Sequence, residues 1–247
     1  MHRFYVTDNL FVDETYVASK EFINHFRALR LKNNDKIIVF NGDSYEYEAI
    51  VIKVDRNEIS YLIVNKIKKN LTQSVQIDLL LCLIANDKMD LAIQKAVELG
   101  VTSITPIITK RSQNIVIDRI NKKIEHWKRI VISSCEQSGN NIVPEINPPQ
   151  NFNSLIKEDY LGTRIILSTT ESNDNLRLYD KTNKIQLLVG PEGGFEPDEM
   201  SHAINNYFIP IKIGNLILRS ETAVIVGITF FKLFFDNCFN NDKVKNE

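Results

Sequence analysis

The chain has 247 residues, 43% of them hydrophobic and 25% charged, and a formal net charge of −1. That length holds one large domain or two modest ones, and the even balance excludes a protein bound to a polyanion by its overall charge. No run of about eighteen apolar residues occurs, and Met1-His2-Arg3-Phe4-Tyr5-Val6-Thr7-Asp8 has no apolar core, so the expectation is a cytoplasmic protein without a membrane or targeting segment.

Residues 1–70 read mainly as strands: Phe4 to Val6, Lys36 to Phe40, Tyr45 to Val54 and Ile59 to Ile67, with Asn41-Gly42 as a tight-hairpin signal. One helix interrupts, from Thr15 to Leu31, with Phe22, Phe26 and Leu29 on one face and Arg27 pointing away. The pattern suggests a small closed β-barrel with one helix, and Lys66 to Ser74 is the linker. Beyond it strands and helices alternate, which predicts an α/β domain over 74–236 with a parallel sheet covered on both sides. The strands are Val75 to Ala85, Thr102 to Ile108, Arg164 to Thr169, Ile185 to Val189 and Phe208 to Ile213. The helices are Lys88 to Leu99, Ile117 to Gln137, one opening at Pro197-Asp198-Glu199, and Glu221 to Phe235. Residues 237–247 read as a frayed polar tail.

Cys82, Cys135 and Cys238 lack C-x-x-C spacing, and His2, His25, His126 and His202 form no ligand pair, so free or buried thiols and no structural metal are expected. Two segments are locally basic by +3: Lys20 to Lys36, where Lys20, Arg27, Arg30, Lys32 and Lys36 face Glu21 and Asp35, and Asp118 to Arg129, where Arg119, Lys122, Lys123, Lys128 and Arg129 face Asp118 and Glu125. Either alone is an ordinary solvated helix face; the two together permit RNA binding.

Two glycine segments carry the chemistry. Val189-Gly190-Pro191-Glu192-Gly193-Gly194-Phe195 and Ile213-Gly214-Asn215-Leu216-Ile217-Leu218-Arg219-Ser220-Glu221-Thr222-Ala223 each run from a strand into a helix, where open α/β sheets hold small ligands. Neither has G-x-G-x-x-G spacing or a phosphate-pairing Lys, and a carboxylate at Glu192 repels phosphate, so a neutral or cationic ligand fits better.

These words in this order resemble the bacterial 16S rRNA uridine N3-methyltransferases, the RsmE family of the SPOUT superfamily. The resemblance is carried by Met1 to Val6, by His25 with Leu29-Arg30 and Asp35, by Asp90 to Val101 including Gln94-Lys95 and Glu98-Leu99-Gly100, by Pro106 and Arg111-Ser112, by Trp127, by Glu136-Gln137-Ser138 with Pro144, and by both glycine loops. It implies an N-terminal PUA-like barrel over 1–70, a SPOUT α/β domain over 74–236 with a deep trefoil knot, a homodimer, S-adenosyl-L-methionine as cofactor, and N3 methylation of one uridine near the decoding site of 16S rRNA, with an assembled small subunit as the expected partner. Knots are otherwise nearly absent from proteins, so physics alone argues against one. Carried over by position, the cofactor residues are Leu167, Ser168, Thr169, Gly190, Pro191, Glu192, Gly193, Ile213, Gly214, Leu216, Leu218, Ser220, Thr222 and Ala223. The RNA-binding expectation falls on Arg3, His25, Arg27, Arg30, Lys32 and Arg111.

Uracil N3 bears a proton, so the site must remove it or stabilise the anion. Arg219 is the candidate for stabilising that charge; Glu192, Glu221 and Glu136 are candidates for the proton, each with a structural alternative as an ion-pair or capping residue. The target must be an unpaired or extruded base. The sequence departs from the family at Ala85, Asn140 and Asn215-Leu216, where cations are common, which weakens phosphate contacts. Alternatives are methylation of another RNA position, such as a tRNA ribose 2′-hydroxyl, and a non-catalytic RNA-binding assembly factor.

Overall fold

The structure is a computed structural model describing residues 1–69, 73–112, 120–170 and 183–244, with side chains to Asp236. The chain forms two compact units, Met1–Thr72 with Ile132–Val143, and Gln73–Val131 with Pro144–Glu247. Residues 132–143 thus go with the first unit, which the contiguous division expected from sequence does not include.

The first unit contains β1 (His2–Tyr5), β2 (Thr15–Val17), α1 (Lys20–Ala28), β3 (Lys36–Phe40), β4 (Tyr45–Val54) and β5 (Ile59–Lys68). The sheet order is β1-β3-β4-β5-β2, with β1 parallel to β3 and the other neighbours antiparallel. Its core is aromatic: Phe22 of α1 stacks on Phe4 at 4.2 Å and on Tyr61 at 5.2 Å between ring centroids. The expected helix from Thr15 starts late, because Thr15–Val17 is a β-prone run that pairs with β5, Thr15 opposite Leu62 and Val17 opposite Ser60. Ser19 then caps α1 by accepting the Phe22 N–H at 3.2 Å. The hairpin signalled by Asn41-Gly42 closes through the four residues 41–44, where the Asn41 side chain accepts from the Asp43 N–H at 3.2 Å and donates to the Asp8 carbonyl at 3.0 Å.

The second unit contains β6 (Gln76–Cys82), α2 (Asn86–Glu98), β7 (Ser103–Ile108), α3 (Ile120–Ser138, its last turns counted with the first unit), β8 (Glu145–Ile146), β9 (Gln150–Asn151), α4 (Phe152–Leu155), β10 (Thr163–Leu167), β11 (Lys184–Val189), α5 (Pro197–Asn205), β12 (Phe208–Ile211) and α6 (Ser220–Val244). Every pairing is parallel, in the order β12-β10-β11-β6-β7-β8 with β9 also on β7. Buried Ile, Leu and Val runs, such as Leu79 to Leu81 and Leu187 to Val189, suit a sheet covered on both faces. The short β8, β9 and α4 lack enough residues for a period to show. The expected polar tail continues α6 as far as Val244, because extending a nucleated helix adds one hydrogen bond per residue fixed. Residues 245–247, the expected helix start at Ile117 and linker residues 70–72 lie outside the described residues. No described helix is long and apolar enough to cross a membrane, and no described group of His, Cys, Asp and Glu is placed to hold a metal.

One buried arginine organises the start of β10. Arg164 Nε donates to Gln186 at 2.8 Å, Nη1 to the Ile156 carbonyl at 3.1 Å and Nη2 to the Leu155 carbonyl at 3.2 Å, with the guanidinium 4.6 Å from the Phe208 ring centroid. Arg164→Leu leaves these buried acceptors without donors and should cost about 2–4 kcal/mol. Urea unfolding should show the transition midpoint moving down, and an unchanged midpoint contradicts the role.

Candidate functional site

Parallel strands β10, β11 and β12 end at one edge of the sheet, so the segments after them converge there. They enclose a cleft of about 390 Å³. The end of β10 and the residues after it contribute Leu167, Ser168 and Thr169; those after β11 contribute Gly190, Pro191 and Gly193; those after β12 contribute Ile213, Leu216, Leu218, Ser220 and Ala223. Among the described lining residues there is no carboxylate, and the cations are Arg111 and Lys212.

The first loop is held by its surroundings. Glu199, only 3% exposed, accepts the Glu196 N–H at 2.9 Å through Oε2 and the Lys110 N–H at 2.9 Å through Oε1, so it closes a capping box at the start of α5 and fixes the end of β7. Arg111 donates from Nε to Glu196 Oε1 at 2.8 Å and from Nη1 to the Gly193 carbonyl at 2.8 Å. A Cβ on Gly190 would lie 2.8 Å from the Phe195 ring, which packs on Phe152 at 5.9 Å. Gly194, at φ +69°, closes the turn by donating to the Pro191 carbonyl at 2.9 Å.

Three expected cofactor residues lie outside the lining. Glu192 is exposed and ion-paired with Lys88; Gly214, at φ +70°, shapes the second loop; Thr222 is half-buried on α6. Arg219 is exposed immediately before α6. Glu221 is buried on the same stripe of α6 as Val224, Ile228 and Phe231, and its Oε2 has no hydrogen-bond partner among the described residues. Sequence reasoning missed Phe195 and Glu199; the spacing Glu196-x-x-Glu199 before an amphipathic helix is the signal that points to the latter.

Of the residues expected at RNA, Arg111 is the brace just described. In the first unit Arg3 is paired with Glu46 and donates to Asn141. His25 Nδ1 lies 3.2 Å from Glu136 Oε2, while Glu136 Oε1 accepts the Tyr5 N–H at 3.0 Å. Burial pushes the Glu136 carboxyl above the usual range. Arg27 donates to the Asp55 and Arg56 carbonyls, whereas Arg30 and Lys32 are exposed. Removing the brace with Arg111→Ala should free the loop by about 1 kcal/mol, raising amide exchange at Gly193 and Gly194 roughly fivefold while β6 amides keep their rates. Equal rates at the two glycines before and after the substitution contradict the brace.

Comparison with known proteins places this geometry. The family described as RNA methyltransferase domain matches residues 71–232, and the one described as RNA methyltransferase PUA domain matches residues 20–63. The ribosomal RNA small subunit methyltransferase E of Buchnera aphidicola subsp. Schizaphis graminum is 38% identical over 237 residues, covering 94% of this chain and 96% of that one. The protein of the same name from Rickettsia conorii is 32% identical, covering 90% and 91%. The crystal structure of the ribosomal RNA small subunit methyltransferase E from Neisseria gonorrhoeae bound to S-adenosyl methionine is 32% identical, with a TM-score of 0.87 and coverage of 95% and 98%. Lpg2936 from Legionella pneumophila, in complex with the bound cofactor SAM, is 29% identical, with a TM-score of 0.89 and coverage of 94% and 96%.

Proposed function

The chain belongs to the ribosomal RNA small subunit methyltransferase E family, and from that membership we propose that its cleft takes S-adenosyl-L-methionine and that the methyl group goes to N3 of one uridine near the decoding site of 16S rRNA. The observation that carries this is the cleft itself, a glycine-walled pocket without a carboxylate among its described lining, at the ends of three parallel strands. The residues present fit the cofactor. Gly190 leaves no room for its own Cβ beside Phe195 and so presents bare backbone; Leu167, Leu216 and Leu218 offer apolar walls; Ser168, Thr169 and Ser220 offer hydroxyls; Arg111 and Lys212 suit a carboxylate.

When bound, S-adenosyl-L-methionine supplies a methyl group on a positively charged sulfur. The chain's part is to hold an extruded uracil and to manage the N3 proton. Arg219, exposed at the start of α6, faces that task as the group that stabilises the negative charge shared by N3 and its flanking carbonyls. The carboxylates nearest in sequence to the two loops, Glu192 and Glu221, are the candidates to take the proton, but neither lines the cleft, Glu192 being paired with Lys88 and Glu221 buried on α6, so each must leave that position to act; Glu136 is engaged by Tyr5 and His25. Arg30 and Lys32, exposed on the first unit, are the cations we assign to neighbouring RNA.

The reading includes a closed PUA-like barrel in the first unit, a trefoil knot in the second, and a homodimer of a cytoplasmic enzyme. The knot is supported by β10 lying between β11 and β12, which sends the chain across β10 after β11. The dimer is supported by α6, whose second face, Ile225, Val226, Phe230 and Leu233, is apolar and only partly covered. A monomer in sedimentation would remove the dimer from the reading.

Two measurements test the function. Purified protein given methyl-labelled S-adenosyl-L-methionine with 16S rRNA or assembled small subunits should yield N3-methyluridine on nucleoside mass spectrometry, and a ribose-methylated product or no transfer overturns the assignment. Gly190→Ala drives a methyl group against Phe195 and should weaken cofactor binding by about 1–3 kcal/mol, roughly fivefold to 150-fold in calorimetric Kd. Unaltered binding would place the cofactor elsewhere.

A further inference from the structure

A second groove in the same unit, of about 440 Å³, lies between the first turns of α2 and the first turns of α3, lined by Asn86, Asp90, Lys122, Lys123, His126 and Trp127. We infer that this groove is a phosphate-binding contact for the RNA substrate, separate from the methyl-transfer cleft. The inference rests on the proposal that RNA is the substrate.

The charge arithmetic of the groove favours an anion. Its one lining carboxylate, Asp90, is turned onto His126, with Oδ2 2.7 Å from Nε2. Lys123 Nζ donates to Asn86 Oδ1 at 2.9 Å, which leaves the Asn86 amide N–H groups for another acceptor. Lys122 is exposed, with no side-chain partner among the described residues. Of the other cations of the basic run, Lys128 pairs with Glu125 and Arg129 donates to the Glu125 carbonyl, while Arg119 lies outside the described residues. The backbone adds to this, because Ala85 at the start of α2 has no side chain to cap the first N–H groups. Asp87 shares that turn but does not line the groove. Buried Trp127 supplies a rigid floor.

Position makes the contact useful. Asn86 faces the groove, while Lys88, two residues on, pairs with Glu192 of the first glycine loop. One helical turn therefore borders both the groove and the loop that walls the cleft. A strand whose phosphates cross that turn is held within a few nucleotides of the methyl-transfer site, and the sequence-independent term this supplies is what a phosphate contact provides.

The test compares wild type, Lys122→Ser, the double variant Lys122→Ser/Lys123→Ser and the double Arg variant, all as full chains, in binding to 16S rRNA at several salt concentrations. Two lost contacts should flatten the slope of log K against log salt by about 1.5 and weaken binding roughly tenfold near 0.1 M salt. The single variant should show about half the slope change, and the Arg variant should restore both. In the methylation assay KM for RNA should rise in the Ser variants with kcat held at saturating RNA, and calorimetric binding of S-adenosyl-L-methionine should match wild type. Slopes equal to wild type, or a loss that Arg does not restore, or an equal loss of cofactor binding, each overturn the inference and return the run to a solvated helix face. A wild-type chain that binds RNA but transfers no methyl group counts against the proposed function, while the slopes still decide the groove.

Discussion

The arrangement of the cleft depends on one buried carboxylate. Glu199 sits on the first turn of α5 and is nearly inaccessible, a costly location for a charge unless donors meet it. Two backbone N–H groups do, one from Glu196 at the start of its own helix and one from Lys110 just past β7. The positive end of the α5 dipole adds to them. These bonds tie the end of one strand to the beginning of a helix far along the chain, and the glycine loop is suspended between β11 and that helix. Arg111 then braces the loop from outside through Glu196 and Gly193, and Phe195 fills the space beside Gly190. The loop's shape is set before any ligand arrives, so less ordering entropy is lost on binding.

Charge is divided consistently across the molecule. Glu192, Glu196 and Asp198, which would otherwise crowd negative charge around the first loop, are matched by Lys88, Arg111 and Lys110. In the first unit Arg3 and Lys69 share Glu46, and Lys69 also reaches the Gly139 carbonyl at 3.1 Å. Much of the basic character visible in the sequence is therefore spent on the protein's own carboxylates and carbonyls. Arg30 and Lys32 in the first unit and Lys122 in the second are among the described cations outside such pairs, with charge to offer a polyanion.

The same distinction explains what the sequence made legible. Strands β3 and β4 match their expected limits to the residue, because their β-rich runs and the turn chemistry at Asn41-Gly42 bound them sharply. The glycine loops were legible because glycines between an apolar strand and an acidic helix start have few other uses. Thr15–Val17 was drawn into a helix because three residues cannot display a period, and only pairing with β5 makes them a strand. The supports of the cleft were invisible for another reason. Lys88 and Glu192 are 104 positions apart, Lys110 and Glu199 are 89, and Arg111 and Glu196 are 85, so no local pattern records that they meet. Phe195 read only as the end of a motif; its role as a wedge needs the position of Phe152.

How the second loop comes to face the first follows from a single absent side chain. α6 carries apolar residues around most of its circumference, so its hydrophobic pattern does not dictate which face meets the sheet. Gly227 does: a Cβ there would come within 3.0 Å of Leu167 Cδ1 and 3.3 Å of Leu187 Cδ2, on neighbouring strands β10 and β11. The helix therefore packs against the sheet here without room for a side chain, which constrains its rotation. With that rotation Ser220 and Ala223, seven and four residues earlier on the same side, line the cleft, while Glu221 turns onto the buried stripe with Val224 and Ile228. The hydroxyl that reaches the ligand site and the carboxylate withdrawn from its wall are thus two consequences of one close helix-to-sheet contact.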